Sequence, residues 1–349
     1  MPSKGVVNME RGHCIELSMR MLASLCILLI ITEPTVTEGR YQGSKSDRIS
    51  NSDNGITTIL SIDGGGVKGV IPGTILKEFE SMLQEIDGDE NARIADYFDI
   101  VAGTSTGGII TGLLTAPDES GRPLYSAKEI NQFYFDHAPD IFWLDESLNP
   151  FVEALRELLQ PKYNGTNYYK VVREMIGGIR LDETVTNVVI PTYDMKLLKP
   201  TIFTSFHAKR DESMMALLSD VVIGTAAAPT LFPPYSFQIT TSEGVTTKFN
   251  LYDGALVAGN PTLVALTETV KEMNGNVDYT KFRVLSLGTG TEEFQGYEAD
   301  SHCWGKVALK YLLYDPILST AGERMAEVYA GMLLRTDIYP NNYIRIQVR

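Results

Sequence analysis

The sequence predicts an α/β fold of three layers, in which helices cover both faces of a mainly parallel central sheet. Short apolar runs typical of buried strands alternate along the chain with longer stretches whose apolar residues recur at helical spacing. Glycine-rich turns join several of these strands to the helix that follows, as in strand–loop–helix units. With 349 residues, 44% of them hydrophobic, the chain can enclose one large core or two small ones.

The chain is acidic, with a formal net charge of −14 at pH 7 and no run of basic residues. This balance argues against nucleic acid as a partner. An anionic membrane would repel the protein on average, so a lipid substrate would have to be reached through an apolar surface rather than through charge.

The first 37 residues have the pattern of a targeting segment. Lys4, Arg11 and Arg20 precede an unbroken apolar run over residues 21–31. A run of this length fits the hydrophobic part of a signal peptide and is too short to span a bilayer. We therefore expect the secretory pathway, with the vacuole or the extracellular space as destination; a membrane-associated protein with a short anchor and a cytoplasmic protein remain alternatives. Residues 38–56 are polar and predict a linker, and residues 57–349 predict a single folded domain.

Two further features depend on that targeting. Cys303 is the only cysteine beyond the predicted signal, so the mature chain can form no intramolecular disulfide and no zinc site from cysteines. Asn164, Gly165 and Thr166 form a glycosylation sequon, which would be used only if the chain enters the secretory pathway.

The predicted fold begins with a buried strand, residues 57–62, that runs into a glycine-rich loop. The loop consists of Asp63, Gly64, Gly65, Gly66, Val67, Lys68 and Gly69. A helix is predicted after it, with Pro72 in its first turn, where proline is tolerated. Its apolar face is predicted to carry Ile71, Ile75, Phe79, Leu83 and Ile86.

The glycine spacing in residues 64–69 allows two interpretations. It matches the Gly-x-Gly-x-x-Gly of dinucleotide-binding loops, but no second strand ends in an acidic residue about 20 residues later. Glu85, Asp87 and Asp89 fall near that distance and follow a helical pattern instead. The alternative is an oxyanion hole, because backbone N–H groups without side chains can approach a developing oxyanion closely.

The second glycine motif surrounds Ser105. An apolar strand pattern ends at Gly103, Ser105 follows, and Gly107 precedes an apolar helix pattern. This Gly-x-Ser-x-Gly arrangement between a strand and a helix is typical of a nucleophile elbow, a tight turn that exposes a serine hydroxyl. The turn also directs the free N–H groups of the helix toward the reacting oxygen.

Further elements complete the predicted α/β pattern. Strands are predicted at residues 185–190, 201–206, 249–252 and 282–287, and helices at residues 215–228 and from Pro261 onward. Ile130, Phe133, Tyr134, Ile141, Phe142 and Trp143 form an aromatic cluster that predicts either a packed helix pair, which we favour, or a lipid-contacting lid. The aromatic stretch over residues 304–314 predicts either an interior helix or a contact with lipid, and the sequence favours neither.

A catalytic serine needs a base, and two candidates follow Ser105. Asp253 stands directly after the strand over residues 249–252, with Gly254 next, and strand ends are where reactive groups collect in α/β sheets. An aspartate with a pKa near 4 is a poor base unless it is desolvated. His302 would instead complete a Ser105–Asp253–His302 triad in the chain order of α/β hydrolases, but it follows a polar loop and has no strand-end context.

The three motifs, in this order, resemble the patatin family of lipid acyl hydrolases, and in particular its plant branch. The similarity covers residues 57–349 and includes the supporting residues 224–229 and 232–234. The motif residues that carry it are Asp63, Gly64, Gly65, Gly66, Lys68, Gly69, Gly103, Ser105, Gly107, Asp253, Gly254 and Ala255.

The resemblance implies a patatin-like variant of a serine hydrolase fold with a Ser105–Asp253 dyad, no catalytic histidine, no metal and no cofactor. It implies that Gly64, Gly65 and Gly66 form the oxyanion hole. Fatty acyl esters of membrane phospholipids and galactolipids are the implied substrates, reached by transient contact with a lipid surface, with a role in plant defence or storage. Because family members continue beyond the strand that residues 342–347 resemble, a storage or defence protein with vestigial activity remains an alternative.

Overall fold

The computed structural model describes residues 55–142, 160–273, 277–290 and 318–348. The predicted targeting segment, nearly all of the predicted linker, Trp143, His302, Cys303 and the aromatic stretch over residues 304–314 lie outside these ranges. Within them, no helix combines the length and the hydropathy needed to cross a membrane.

In the described part of the chain, eight strands form one sheet. Its strands are β1 (Thr57–Ile62), β2 (Ile100–Gly103), β3 (Asn187–Asp194), β4 (Lys199–Thr204), β5 (Tyr235–Thr240), β6 (Thr246–Tyr252), β7 (Phe282–Leu287) and β8 (Tyr343–Ile346). Hydrogen-bonded neighbours follow the order β5-β6-β3-β2-β1-β7-β8, with β4 also paired to β3. The pairs β1–β2, β1–β7, β2–β3 and β7–β8 are parallel, which gives the sheet its mainly parallel character.

Helices cover both faces of this sheet. They are α1 (Val70–Asp87), α2 (Thr106–Thr115), α3 (Ala127–Ile141), α4 (Thr166–Ile176), α5 (Ser205–Ala208), α6 (Leu218–Thr225), α7 (Ala255–Ala258), α8 (Thr262–Glu272) and α9 (Leu318–Leu333). Short 3₁₀ turns lie at Gly66–Gly69, Ile94–Asp96, Leu181–Glu183, Glu212–Met214, Tyr279–Lys281 and Pro340–Asn342.

The core has two halves because successive strand residues point to opposite faces of the sheet. Leu60 in β1 and Val101 in β2 belong to a large cluster packed under α1, α2, α3, α4 and α6. Their neighbours Ile59 and Ile100 belong to a second cluster, which includes Leu266 of α8 and Ala330 of α9. This arrangement confirms the predicted three-layer α/β fold.

One end of the sheet is antiparallel, a feature that the sequence did not predict. β4 returns along β3 through a tight turn in which the Asp194 carboxylate accepts hydrogen bonds from the N–H groups of Lys196 and Leu197. β5 and β6 form an antiparallel hairpin, and β5 has no counterpart among the predicted strands. Apolar and polar residues alternate along β5, which is the pattern of a half-buried strand and differs from the continuous apolar runs of buried strands.

Several predicted positions also differ from the structure, among them the bounds of β3, β4 and β6. The helix expected over residues 215–228 is limited to Leu218–Thr225, because residues 216–218 pair with residues 179–181 instead. The apolar strand pattern before Ser105 begins at Tyr97, but β2 starts only at Ile100, after the 3₁₀ turn Ile94–Asp96. Ile86 lies near the end of α1 and is 52% exposed, although it was expected on the buried face.

Candidate active site

Ser105 occupies the tight turn between β2 and α2. Its backbone has φ 54° and ψ −120°, a left-handed conformation that is unfavourable for a residue with a side chain. Such backbone strain persists where the surrounding structure holds it in place, and it clusters at functional sites. The structure therefore has the local geometry predicted for a nucleophile elbow.

The glycines of the elbow are required by close backbone approach. A Cβ atom on Gly107 would lie 2.1 Å from the Ile62 carbonyl oxygen of β1. A Cβ atom on Gly103 would lie 2.1 Å from the carbonyl oxygen of Gly107. No rotamer change can relieve a clash between a Cβ atom and backbone, so α2 can start this close to β1 and β2 only with glycine at both positions.

Asp253 directly follows β6 and lies two residues before the first residue of the short helix α7. Its backbone N–H donates to the Ala227 carbonyl, just beyond α6. Its side chain is buried, and Oδ1 accepts a hydrogen bond of 2.7 Å from the N–H of Ala255. Gly254 must be glycine here, since a Cβ atom would lie 2.1 Å from the Pro191 carbonyl oxygen in β3.

The structure brings Ser105 and Asp253 into direct contact. The Ser105 Oγ donates a hydrogen bond of 2.7 Å to Asp253 Oδ2, and both side chains are buried. Burial raises the pKa of Asp253 from 3.8 to about 6, although the hydrogen bonds from Ser105 and Ala255 favour the carboxylate. A pKa near 6 makes this carboxylate a stronger base than an ordinary aspartate and leaves it mostly ionised at pH 7.

Thr225, the last residue of α6, holds both partners. Its Oγ1 accepts a hydrogen bond of 3.1 Å from the backbone N–H of Ser105 and donates one of 2.7 Å to the Pro191 carbonyl. Its own carbonyl accepts the N–H of Gly254, which follows Asp253. The residue was part of the supporting stretch 224–229 in the sequence, but its position at the end of an apolar helix gave no sign of this role.

No histidine among the described residues joins this pair. The ring of His137 packs against Phe133, and His207 lies 3.5 Å from Glu268. His302, the alternative base, lies outside the described residues.

The glycine loop packs against Ser105, and its three predicted oxyanion donors are not equivalent. A Cβ atom on Gly64 would lie 3.3 Å from the Ser105 Cβ, but the Gly64 N–H already donates to the Gly259 carbonyl at 2.9 Å. The N–H groups of Gly65 and Gly66 have no acceptor among the described residues, and both glycines are exposed. Thr106, at the start of α2, also has an N–H without a described acceptor, as expected in the first turn of a helix.

The remaining motif residues lie around this loop. The Asp63 carboxylate is buried and pairs with Arg345 of β8, whereas Lys68 is exposed. Gly69 packs so tightly that a Cβ atom would lie 2.2 Å from Thr106 Oγ1, which itself is hydrogen-bonded to the Tyr134 hydroxyl of α3. Glu85 and Asp87 lie on α1 and Asp89 follows its C-cap, so none of the three ends a second strand, as a dinucleotide site would require.

A cavity of about 110 Å³ opens beside Ser105 between α3, α4 and the segment that follows α6. Ser105, Thr106 and Gly66 contribute its polar end. The rest of the wall is apolar and largely aromatic, and includes Phe133, Tyr134, Ile141, Phe142, Tyr168 and Phe232. The predicted aromatic cluster is thus packed into the core and at the same time lines the space next to the serine.

Two further predictions concern a metal site and glycosylation. Among the described residues, no group of three His, Cys, Asp or Glu side chains is placed to hold a metal ion. Asn164 is exposed, and its side-chain oxygen accepts a hydrogen bond from the N–H of Thr166 in the same sequon.

Comparison with known proteins gives consistent matches over most of the chain. A family model described as Patatin-like phospholipase matches residues 60–266. The chain is 43% identical over 326 residues to Patatin-like protein 4 of Arabidopsis thaliana, covering 88% of this chain and 78% of that protein. It is 44% identical over 315 residues to Patatin-like protein 2 of Oryza sativa subsp. indica, with coverages of 84% and 76%. It is 38% identical over 305 residues to Patatin-2-Kuras 3 of Solanum tuberosum, with coverages of 84% and 76%.

Proposed function

The chain belongs to the patatin-like phospholipase family, which indicates a lipid acyl hydrolase. From this premise we propose that it cleaves fatty acyl esters of phospholipids and galactolipids, with Ser105 as the nucleophile and Asp253 as the base. The proposal requires no metal and no cofactor.

The observation that carries the proposal is the hydrogen bond of 2.7 Å from Ser105 Oγ to Asp253 Oδ2. A nucleophile and its base must lie within hydrogen-bonding distance, and this pair does so inside a buried site. Desolvation supplies the second requirement, because it raises the pKa of Asp253 to about 6 and so strengthens the carboxylate as a proton acceptor.

In the proposed first half-reaction, Ser105 Oγ attacks the ester carbonyl carbon while its proton moves to Asp253 Oδ2. The carbonyl oxygen becomes an oxyanion, which the free N–H groups of Gly65 and Gly66 stabilise, with Thr106 as a third donor. The tetrahedral intermediate then breaks the ester C–O bond, and the leaving alcohol takes the proton from Asp253. This leaves an acyl-enzyme on Ser105 and a lysolipid as the product.

The second half-reaction reverses these roles with water. Asp253, again ionised, accepts a proton from a water molecule that attacks the acyl carbonyl carbon. The same N–H groups hold the second oxyanion. Collapse of this intermediate returns the proton to Ser105 Oγ and releases the fatty acid.

The lipid substrate is supported by the apolar surroundings of Ser105. The aromatic cavity beside the serine is suited to an acyl chain rather than to a polar group. Four large apolar side chains are exposed close to its polar end and to Asp253: Val67, Leu231, Leu256 and Val257. We propose that they contact the lipid surface transiently, and that the net charge of −14 favours surfaces with neutral head groups.

The biological setting extends the proposal beyond the site. Secretory targeting through residues 1–37, glycosylation of the exposed Asn164 and a role in plant defence or storage are proposed together. The sequon is supported by its accessibility, since a transferred glycan needs an exposed asparagine.

Two alternatives predict different behaviour. A storage or defence protein with vestigial activity would fold normally and leave lipid esters intact. A Ser105–Asp253–His302 esterase would lose its activity when His302 is replaced and would retain part of it in Asp253→Asn.

Labelling with a fluorophosphonate probe tests the proposal, with Ser105→Ala as the matched control and circular dichroism as the test of folding. We expect covalent labelling of the wild type, none of Ser105→Ala, and release of fatty acid from vesicles of phosphatidylcholine or galactolipid by the wild type alone. If the wild type is folded but unlabelled, the proposed hydrolase activity is rejected. Labelling with retained activity in His302→Ala would reject the triad.

A further inference from the structure

A buried ion pair joins the start of the glycine loop, directly after β1, to strand β8. Arg345 of β8 donates from Nη2 to Asp63 Oδ2 at 2.5 Å and from Nη1 to Ser286 Oγ at 2.8 Å. The Asp63 side chain is 1% exposed and the Arg345 side chain 10% exposed. Asp63 is the first residue of the glycine loop and directly precedes Gly64. The ion pair therefore holds the loop whose Gly65 and Gly66 N–H groups have no acceptor among the described residues.

The pair is a poor source of stability. Burying two charges carries a desolvation penalty that their attraction offsets only when the remaining polar atoms are also hydrogen-bonded. Here Asp63 Oδ1 and Arg345 Nε have no partner among the described residues. Burial raises the pKa of Asp63 to about 7 although Arg345 opposes this shift. A pair of well-packed apolar residues would be at least as favourable for folding, so the pair needs another explanation.

The loop itself needs to be held from outside. Gly65 and Gly66 are exposed. Gly66 has φ +58° with no atom within 4 Å of a would-be Cβ, so no side chain fixes its conformation, whereas Gly65 packs against the Thr289 side chain, to which a Cβ atom would approach within 2.2 Å. The backbone is attached before these residues: the Asp63 N–H donates to Leu287, the Gly64 N–H to Gly259 and Thr289 Oγ1 to the Gly64 carbonyl. The side chain of Asp63 is attached at the same point through its contact with Arg345.

We propose that Arg345 is a positioning residue for the oxyanion donors, acting through Asp63 to hold the end of β1 and hence the N–H groups of Gly65 and Gly66. An oxyanion donor is effective only within about 0.5 Å of its productive position, so loss of this attachment is felt in the chemical step. The inference rests on the proposed function. The family match covers residues 60–266 and therefore does not include Arg345.

The variants Arg345→Gln, Arg345→Lys, Asp63→Asn and the double variant Asp63→Asn/Arg345→Gln test this role. Arg122→Gln is the control, because it removes another Arg–Asp pair, with Asp96, which precedes the amino end of β2. Turnover of a soluble ester is measured per active serine, counted by titration with a fluorophosphonate, so that unfolded molecules do not contribute.

We expect Arg345→Gln to lower kcat by about 10- to 100-fold with KM changed less than about 3-fold, since the donors act on the transition state. Arg345→Lys should recover part of kcat, because an ammonium group keeps the charge but cannot reach Asp63 and Ser286 together. The kcat of the double variant should be no lower than that of Asp63→Asn, since the two substitutions remove the same attachment. Arg122→Gln should keep the kcat of the wild type.

Hydrogen–deuterium exchange provides a readout that does not depend on activity. The peptide covering residues 63–69 should exchange faster in Arg345→Gln than in Arg122→Gln. Unchanged kcat per titrated serine together with unchanged exchange would overturn the positioning role. If Arg345→Gln does not fold, Arg345→Lys is measured in its place. A kcat equal to that of the wild type would then count against the positioning role of Arg345. An unlabelled wild type rejects the proposed function instead, and the exchange experiment still tests the attachment.

Discussion

Ser105 and Asp253 meet because β2 and β6 end head to head along the same edge of β3. Val189 pairs with Ala102 of β2 and also with Thr204 of β4, so β2 and β4 lie on opposite edges of β3. Further along β3, Tyr193 pairs with Tyr252 of β6 and also with Pro200 of β4. Since β4 occupies one edge throughout, β2 and β6 share the other.

The register of these two strands brings both side chains to one level. Ala102 lies beside Val189, so continuing β2 by three residues brings Ser105 to the level of Thr192. Tyr252 lies beside Tyr193, and because β6 is antiparallel, one more residue brings Asp253 to the same level. The antiparallel strand is therefore what delivers a carboxylate to the carboxyl end of the parallel strands.

The first prediction concerns the base. Asp253→Asn should lower kcat by about 10²- to 10⁴-fold, the usual contribution of a general base, because an amide cannot accept the serine proton. The variant should fold, since an asparagine oxygen can still accept the hydrogen bond from Ala255. The measurement is release of fatty acid from vesicles and from a soluble ester, with circular dichroism on the same samples.

Asp118→Asn serves as the control for this substitution. Asp118 is a half-buried aspartate in the loop after α2, where it accepts hydrogen bonds from Ser120 and Arg122. Its variant should keep the activity of the wild type. Full activity in Asp253→Asn would mean that Ser105 has a different base.

The second prediction is that activity and the contribution of Asp253 to stability change in opposite directions with pH. The folded protein binds the Asp253 proton more tightly than the unfolded chain does, since burial raises the pKa from 3.8 to about 6. Stability from this group is therefore fully present below pH 3.8 and is lost as the pH rises through about 6, in total about 3 kcal/mol. The ionised base that catalysis needs appears over the same interval.

The measurement compares the wild type with Asp253→Asn, in which other titrating groups cancel. The free energy of unfolding of the variant relative to the wild type should increase between pH 4 and pH 8. In the wild type, kcat/KM should increase through a pKa of about 6. A difference in stability that does not vary with pH would show that Asp253 is not desolvated.

Much of the fold could be predicted from the sequence, in particular the strands that are buried on both faces of the sheet. The bounds of β1 and β7 agree with the predicted strands, because both are buried on two faces and carry apolar residues on each of them. The hairpin strand β5 was missed, because only Tyr235, Phe237 and Ile239 face the protein and polar residues separate them. The predicted helix over residues 215–228 was too long, because both of its ends form hydrogen bonds with distant parts of the chain.

The candidate site also has parts that the sequence could predict and parts that it could not. Gly103, Ser105 and Gly107 form a local motif, so the elbow could be found from spacing alone. The contact between Ser105 and Asp253 depends on how β2 and β6 meet on β3, which no local pattern contains. Arg345 lies 282 residues from Asp63, and nothing in its own surroundings in the sequence distinguishes it from a surface arginine.

The third prediction concerns the tight packing of the elbow. Gly107→Ala should destabilise the protein by at least about 3 kcal/mol, because its Cβ would lie 2.1 Å from the Ile62 carbonyl oxygen and neither backbone can move alone. Gly178→Ala is the control, since no atom lies within 4 Å of that Cβ position. Denaturant unfolding of both variants measures the difference, and equal stabilities would contradict the packing of α2 against β1.

The fourth prediction concerns contact with the lipid surface. Leu256→Asp should lower hydrolysis of phosphatidylcholine vesicles by about 10-fold or more, because the apolar contact of a leucine is replaced by a charge. Leu256 is 49% exposed on α7, and its variant should hydrolyse a soluble short-chain ester at the rate of the wild type. Val245→Asp adds the same charge at a residue that is 58% exposed beside the β5–β6 turn, and should change neither rate. Equal losses on vesicles and on the soluble ester would place the effect of Leu256 in the site and not at the surface.

The fifth prediction concerns the acyl chain. Ala138 of α3 lines the cavity beside Ser105, and a tryptophan there would fill much of a space of about 110 Å³. Ala138→Trp should therefore reduce kcat/KM for long-chain esters by about 10-fold or more relative to an acetyl ester, whose acyl group does not extend into the cavity. Asp136→Trp places the same side chain on the exposed face of α3 and should leave the ratio of the two rates unchanged. Matched nitrophenyl esters of increasing chain length measure that ratio. If Ala138→Trp slows all chain lengths equally, the acyl chain lies elsewhere and the cavity serves only to exclude water from Ser105 and Asp253.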